Sequence, residues 1–393
     1  MKIVLPANVT KIISMLESHG HEAYIVGGCV RDSVRGVVPK DWDITTSATP
    51  HEVVEIFSHT VETGIKHGTV TVIINRLHYE VTTYRIDGEY LDSRRPQDVI
   101  FTSNIYEDLS RRDFTMNAIA YNPACGFADP YEGQKDIARE IIRCVGNPTD
   151  RFKEDALRML RAVRFAGQLG FTLEKETHNA IISQSANLVN ISAERIREEI
   201  VKLLTSPYIE AVKLLETTDL LPYILIDQPF GGDTNKIISQ LEYCPDSEPL
   251  RLALFLSWSG DNCEKLLRTL RFDNKTISEV ARYVNCLHTY IPLFRYEIKK
   301  YLRHMPQAHF ENLLTLQSIV KPYDAKRLDA MRRESRDIQE KGECYTLKDL
   351  SVNGIDLAEV GIPPGKAIGD KLEELLDAVM RDPALNADLH SLL

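Results

Sequence analysis

The sequence predicts an α+β fold: a head over residues 1–143 that builds a mixed sheet, followed by an almost wholly helical remainder. Three observations carry this. Up to about residue 140, short β-branched runs alternate with amphipathic segments. From Asp150 onward, apolar residues fall at i, i+3 and i+4 with hardly a strand-like run between them. A chain of 393 residues is also too long for one core and calls for roughly two to four domains.

Residues 8–19 carry Val9, Ile12, Ile13 and Leu16 at helical spacing. The apolar run 23–26 reads as a strand entering Gly27-Gly28, ahead of a short helix, and the Asp41 segment reads as a second strand. Thr49 suits a helix N-cap and Pro50 the first helical position. Residues 69–74 and 77–84 form a hairpin across Asn75-Arg76. Residues 87–104 hold Gly, Pro, Asp and Arg without periodicity and read as a loop. Helices are expected over residues 154–168, 193–204, 208–217, 249–257 and 275–287, with breaks near Gly170, Ser206-Pro207, 227–233 and 245–248. The helical part divides into a neck (144–207), a body (208–290) and a tail (291–393).

Composition narrows the function. No apolar run reaches membrane-spanning length, and the opening residues 1–6 are too short for a secretion signal. The seven cysteines are scattered without a Cys-x-x-Cys pair, which argues for reduced thiols in the cytoplasm and against zinc. The 11 histidines show no His-Asp or His-Glu-x-x-His pattern, so no metal-dependent phosphohydrolase module is expected. A net charge of −10 disfavours nucleic-acid binding over the whole surface, so any RNA contact must be local. The candidates are Lys299-Lys300-Tyr301-Leu302-Arg303-His304 and the set Lys326, Arg327, Arg332, Arg333 and Arg336.

Two segments carry the chemistry. Gly27-Gly28-Cys29-Val30-Arg31-Asp32 is a glycine turn before a helix, where a phosphate can approach the backbone closely. Asp41-Trp42-Asp43 places two carboxylates at i and i+2, on one face of an extended segment. Adjacent carboxylates repel, and a hard divalent ion such as Mg²⁺, shared with substrate phosphates, resolves that conflict.

Together the two segments resemble the nucleotidyltransferase superfamily that includes DNA polymerase β. The longer string running to Lys40-Asp41-Trp42-Asp43-Ile44-Thr45-Thr46 is similar to its class II members, the CCA-adding tRNA nucleotidyltransferases and bacterial poly(A) polymerases. The resemblance extends through Asp108 to Ala118 (with Arg111-Arg112-Asp113-Phe114), Asp129 to Asp136, Glu154 to Phe165 and Ser192 to Glu199. It is looser in the C-terminal half, where Gly354-x-Asp356-Leu357 and Pro364-Gly365 are similar to Bacillus-type CCA-adding enzymes.

The resemblance implies a polymerase-β-like head. Asp41 and Asp43 would hold two Mg²⁺ ions, with Glu80 of the hairpin a candidate third carboxylate or else a partner of Arg85. Gly28 and Arg31 would meet the triphosphate, and Arg112 a phosphate or ribose. Asp113 is expected to pair with an arginine or cap a helix. Asp155 and Arg158 suit base reading. An acceptor beside a donor matches the edges of cytosine and adenine and rejects guanine and uracil. Arg161 and Arg164 continue the nucleotide-binding set, Arg161 expected to face the nucleotide and Arg164, turned further, to pack or touch RNA instead.

Residues 92–96 match a loop that the family associates with A addition. The implied activity is addition of CCA to tRNA from CTP and ATP, with A-only addition and poly(A) synthesis as alternatives. The acidic stretch 377–393 speaks against poly(A) synthesis. The expected partners are tRNA and nucleoside triphosphates, with no membrane and with a homodimer left open.

Overall fold

The computed structural model describes residues 2–88, 99–225 and 228–392. It forms two compact units. One is the chain up to Phe230 with Thr269–Arg271, and the other is Gly231–Arg268 with Phe272–Leu393. Their boundary falls inside the stretch 208–290 expected as one body, within the proline- and glycine-containing residues 228–233.

The first unit opens with α1 (Ala7–Ser18), whose buried stripe is Val9, Ile12, Ile13 and Leu16. There follow β1 (Ala23–Val26), α2 (Gly28–Val34), β2 (Ile44–Thr46) and α3 (Pro50–Ile56). Thr49 and Glu52 cap α3 reciprocally, as a capping box. Next come β3 (Thr60–Gly64), β4 (Thr69–Ile74), β5 (Leu77–Thr83), β6 (Arg85–Asp87) and β7 (Val99–Phe101). Asn75 and Arg76 turn the β4–β5 hairpin at φ of 53° and 64°, the pair of positive values that a tight two-residue hairpin requires.

β6 and β7 pair antiparallel, so the reading of 87–104 as loop throughout fails at its edges. The residues 92–96 expected to mark A addition lie outside the described residues. The head continues with α4 (Ile105–Ser110), β8 (Ala120–Asn122), β9 (Gly126–Ala128), α5 (Gly133–Ala138) and β10 (Ile141–Ile142).

Among the described residues a seven-stranded sheet runs β3-β4-β5-β2-β1-β8-β9. It is mixed, because β2 and β5 pair in parallel while the other neighbours are antiparallel. β1 lies between β2 and β8, and Val26 and Ala120 join Tyr84, Ile105, Leu109 and Ala128 in one buried cluster.

Helices α6 (Pro148–Glu154), α7 (Leu157–Leu169), α8 (Lys175–Gln184) and α9 (Ala193–Leu204) follow, with β11 (Thr172–Leu173) paired in parallel to β10. The one helix expected over residues 154–168 is therefore two. Asp155 leaves helical geometry at φ −140° and ψ 101°, and its Oδ1 accepts the Leu157 N–H at 3.1 Å. The side chain thus captures a backbone donor and opens the helix there. α10 (Lys213–Thr217) and α11 (Leu221–Ile224) complete the unit's helices.

The second unit is helical. It comprises α12 (Thr234–Leu241), α13 (Glu248–Phe255), α14 (Cys263–Thr269), α15 (Asn274–Cys286), α16 (Arg295–His304), α17 (Gln307–Val320), α18 (Ala325–Glu340), α19 (Gly354–Glu359), α20 (Lys366–Arg381) and α21 (Leu385–Leu392). One of its cores joins Cys344, Val352, Leu376, Val379, Met380 and Leu389. Lys299, expected on a basic surface, is fully buried and paired to Glu343 at 2.8 Å.

Other members of the two basic candidates are also matched to acids. Lys300 meets Glu297 at 3.0 Å, Arg303 meets Glu373 at 2.5 Å, Arg327 meets Asp324 at 2.8 Å, Arg332 meets Asp329 at 2.5 Å and Arg336 meets Glu311 at 2.7 Å. The runs read as basic because these acids lie in other parts of the sequence or on the same helix face. No described helix is long and apolar enough to cross a membrane.

Candidate active site

The glycine turn sits at the end of β1. Gly27 has a φ of +78°, and a Cβ added there would lie 3.1 Å from Arg112 Nη1, so both backbone and space demand glycine. At Gly28 an added Cβ would lie 3.7 Å from Arg31 Nη2. Two guanidinium groups therefore flank the turn.

The acidic pair arrives from the next segment. The strand begins at Ile44 rather than at Asp41, yet the Asp43 carbonyl accepts the Val26 N–H at 3.0 Å and so extends the β1 pairing. The parallel register Ile44↔Val81 sets the preceding residues, Asp43 and Glu80, side by side. The Asp43 carboxyl is accordingly held above the ordinary carboxylate range. Loss of hydration among its neighbours is the largest cause, the Glu80 charge the next and Asp41 a further one, while Arg112 opposes them.

Among the described residues no three His, Cys, Asp or Glu side chains close into a ready-made metal cluster. The crowding of Asp43 by Glu80 and Asp41 still fits a hard divalent ion. It is an all-oxygen set whose mutual repulsion such an ion relieves, with ligands left for phosphate oxygens.

Asp108, fully buried, organises the arginines. Its Oδ1 accepts from Arg111 Nη2 at 2.7 Å and Nε at 3.0 Å, and its Oδ2 from Arg112 Nη2 at 3.2 Å. Burial works against this carboxylate, but the two guanidinium charges hold it below the usual range. Arg111 thus serves structure, while Arg112 turns toward Gly27. Asp113 pairs with Arg161, Oδ2 accepting at 2.6 and 2.9 Å, and its carboxyl is held down to about 2 against the pull of burial. Arg31 donates to Asp32 at 2.9 Å and to Asn117 Oδ1 at 2.8 Å, and Asn117 donates in turn to Asp113 at 3.2 Å.

Asp155 and Arg158, named above for base reading, are each held by other partners. Asp155 is clamped by Arg195 of α9 at 2.7 and 3.3 Å. Arg158 donates to Glu154 at 2.5 Å and to the carbonyls of Arg151 and Arg111 at 3.1 and 2.9 Å. Arg164 is buried and bonded to Glu199. Sequence reading gave no role to Asp108, Asn117, Phe165 or Arg195. All lie within the quoted motif segments, which was the one available signal.

Comparison with known proteins follows this geometry. A poly A polymerase head domain matches residues 23–143, an RNA and SrmB binding site of polymerase A matches 170–230, and domain 2 of tRNA nucleotidyltransferases matches 246–389. The class is thus a nucleotidyltransferase built on the poly A polymerase head.

A CCA-adding enzyme of Geobacillus sp. (strain WCH70) is 40% identical over 377 residues, covering 94% of this chain and 90% of that one. One from Staphylococcus aureus (strain bovine RF122 / ET3-1) is 34% identical over 388 residues, covering 96% and 94%. The structure of the Bacillus stearothermophilus CCA-adding enzyme in complex with CTP matches at 34% identity and a TM-score of 0.80, over 95% of this chain and 92% of that one. The chain belongs to the family of Bacillus-type CCA-adding enzymes, which are tRNA nucleotidyltransferases.

Proposed function

We propose that this chain completes the 3′ end of tRNA by adding C, C and A from CTP and ATP without a nucleic-acid template, releasing pyrophosphate at each step. The observation that carries the reading is the convergence of Arg31, Arg112 and the Asp43 segment on the Gly27–Gly28 turn. Relatives of near-full length are CCA-adding enzymes, and one of them is known with CTP bound.

In this reading the triphosphate lies over Gly28, with Arg31 and Arg112 bonding its oxygens. Asp41 and Asp43 would hold two Mg²⁺ ions, with Glu80 as a candidate third carboxylate. A metal held there would supply charge that favours ionisation of the RNA 3′-hydroxyl and departure of pyrophosphate. Asp155, kept in place by Arg195, offers its acceptors to the N4 or N6 amino group. Arg158 exchanges Glu154 for N3 of cytosine or N1 of adenine. Guanine and uracil leave both side chains mispaired in a partly dry site, which excludes them. Arg161 lines the nucleotide side of the same helix.

The division into head (1–143), neck (144–207), body (208–290) and tail (291–393) belongs to the same proposal, the tail taking the tRNA. Because its basic runs are largely neutralised by ion pairs, that contact must use other groups as well. The seven cysteines are free, in keeping with a cytoplasmic protein.

The test offers tRNA lacking its end, tRNA-C and tRNA-CC with CTP, ATP or both, and sequences the products. CCA ends on all three substrates support the reading. A addition to tRNA-CC alone, or long A tails, overturn it.

A further inference from the structure

Three guanidinium groups surround one aromatic ring. The Cζ atoms of Arg31, Arg161 and Arg164 lie 5.3, 5.4 and 3.8 Å from the centroid of Phe165. The ring is buried, and Phe114 meets it edge to face with centroids 5.8 Å apart. Arg31 belongs to α2, and the other two belong to α7 with the ring itself.

Arg31 and Arg161 are also joined on their polar sides, through Asn117 and Asp113. Each guanidinium is bonded through two of its nitrogens, Arg31 through Nε and Nη1 and Arg161 through Nε and Nη2, so the polar partners hold them in the plane of the group. The negative face of the aromatic ring adds a second restraint, from the face of the group, since it attracts a guanidinium and stacks with it. Arg164, neutralised by Glu199, packs closest and holds the ring itself in place.

We propose that Phe165 is a positioning residue of the nucleotide site, its ring setting the guanidinium groups of Arg31 and Arg161 in the mutual placement that receives a bound nucleoside triphosphate. It touches no substrate and acts through the two arginines. The proposal rests on the CCA-adding reading for the identity of the ligand.

The experiment replaces Phe165 in the full chain with mono-, di- and trifluorophenylalanine, which drain the negative face of the ring at nearly constant shape. Calorimetry gives the Kd for CTP, and steady-state assays with tRNA lacking its end give KM and kcat. Kd and KM should rise stepwise with fluorine count, reaching about 2- to 30-fold at trifluorination, the range of a cation–π contact. The kcat should stay within about twofold, because the arginines grip substrate before and during reaction alike. Phe165→Leu should show the full loss at once, and the fluorinated series decides the matter should that variant not fold. A flat Kd and KM across the series, whatever happens to Tm, overturns the proposal. If the unmodified chain binds CTP but leaves tRNA unextended, the CCA-adding reading fails, while the Kd series still decides the role of the ring.

Discussion

Arg195 grips Asp155 across 40 residues of sequence, its two terminal nitrogens 2.7 and 3.3 Å from the two carboxylate oxygens. The clamp ties α9 to the point where α6 ends. It also fixes the direction in which Asp155 presents its remaining acceptor capacity. Arg195→Ala should therefore raise KM for both CTP and ATP by about tenfold, the worth of one charge-assisted bond, with kcat less affected. Steady-state kinetics with each nucleotide in turn checks this. An unchanged KM removes Arg195 from the site.

In the proposed reading Arg158 is the other half of the base-reading pair. Arg158→Ala should relax nucleotide choice toward U and G by about 10- to 100-fold in relative kcat/KM, since a lost bond then no longer penalises the wrong edge. Competition of CTP with UTP on one tRNA substrate reads the ratio directly. Selectivity equal to that of the parent enzyme rules out the role.

Asp41→Ala and Asp43→Ala should each lower incorporation by on the order of 10³-fold or more while tRNA binding persists, as expected when a metal ligand is lost from a phosphoryl-transfer site. Gel-shift titration beside a magnesium-replete incorporation assay separates the two effects. Turnover near that of the parent in either variant contradicts the metal assignment.

Glu199→Ala should destabilise the first unit by about 3–5 kcal/mol, because it strands the buried Arg164 charge. The double change Arg164→Met with Glu199→Leu should recover most of that loss. Urea midpoints of the three proteins test the pair, and a mild single variant indicates that water reaches Arg164.

Asp113 makes the fold sensitive to acid. Its carboxyl titrates near 2 in the folded chain against an ordinary 3.8, burial pulling upward and Arg161 more than reversing it. A depressed folded value contributes stability above the unfolded value and loses it as pH falls through the folded one. The contribution, about 2 kcal/mol, should be complete above about pH 4 and largely gone near pH 2. Stability–pH curves of the parent and of Asp113→Asn should therefore converge across that window. Parallel curves mean that the Arg161 pair contributes nothing.

Local chemistry made much of this fold legible. Thr49-Pro50 signalled α3, Asn75-Arg76 the hairpin, and the apolar spacing placed α9 at its observed bounds. What failed were features decided at a distance or by one side chain. The periodicity of residues 154–168 does not register that Asp155 bonds the Leu157 N–H and opens the helix. The run around Lys299 reads as a solvated face because its partner Glu343 comes 44 residues later, on no common repeat. In the site the glycines and aspartates were legible as types. Asn117 and Phe165 were not, because each draws its importance from the arginines it touches rather than from its own chemistry.

The parallel seam between β2 and β5 makes the Asn75-Arg76 turn a length gauge for the acidic edge. Glu80 reaches Asp43 because three residues, Leu77, His78 and Tyr79, separate it from the turn in the present register. Inserting one residue into β5 before Glu80 would send its side chain through to the opposite face while the strand itself could still pair. A change in loop length, with every charged residue retained, is thus enough to disassemble this corner of the molecule.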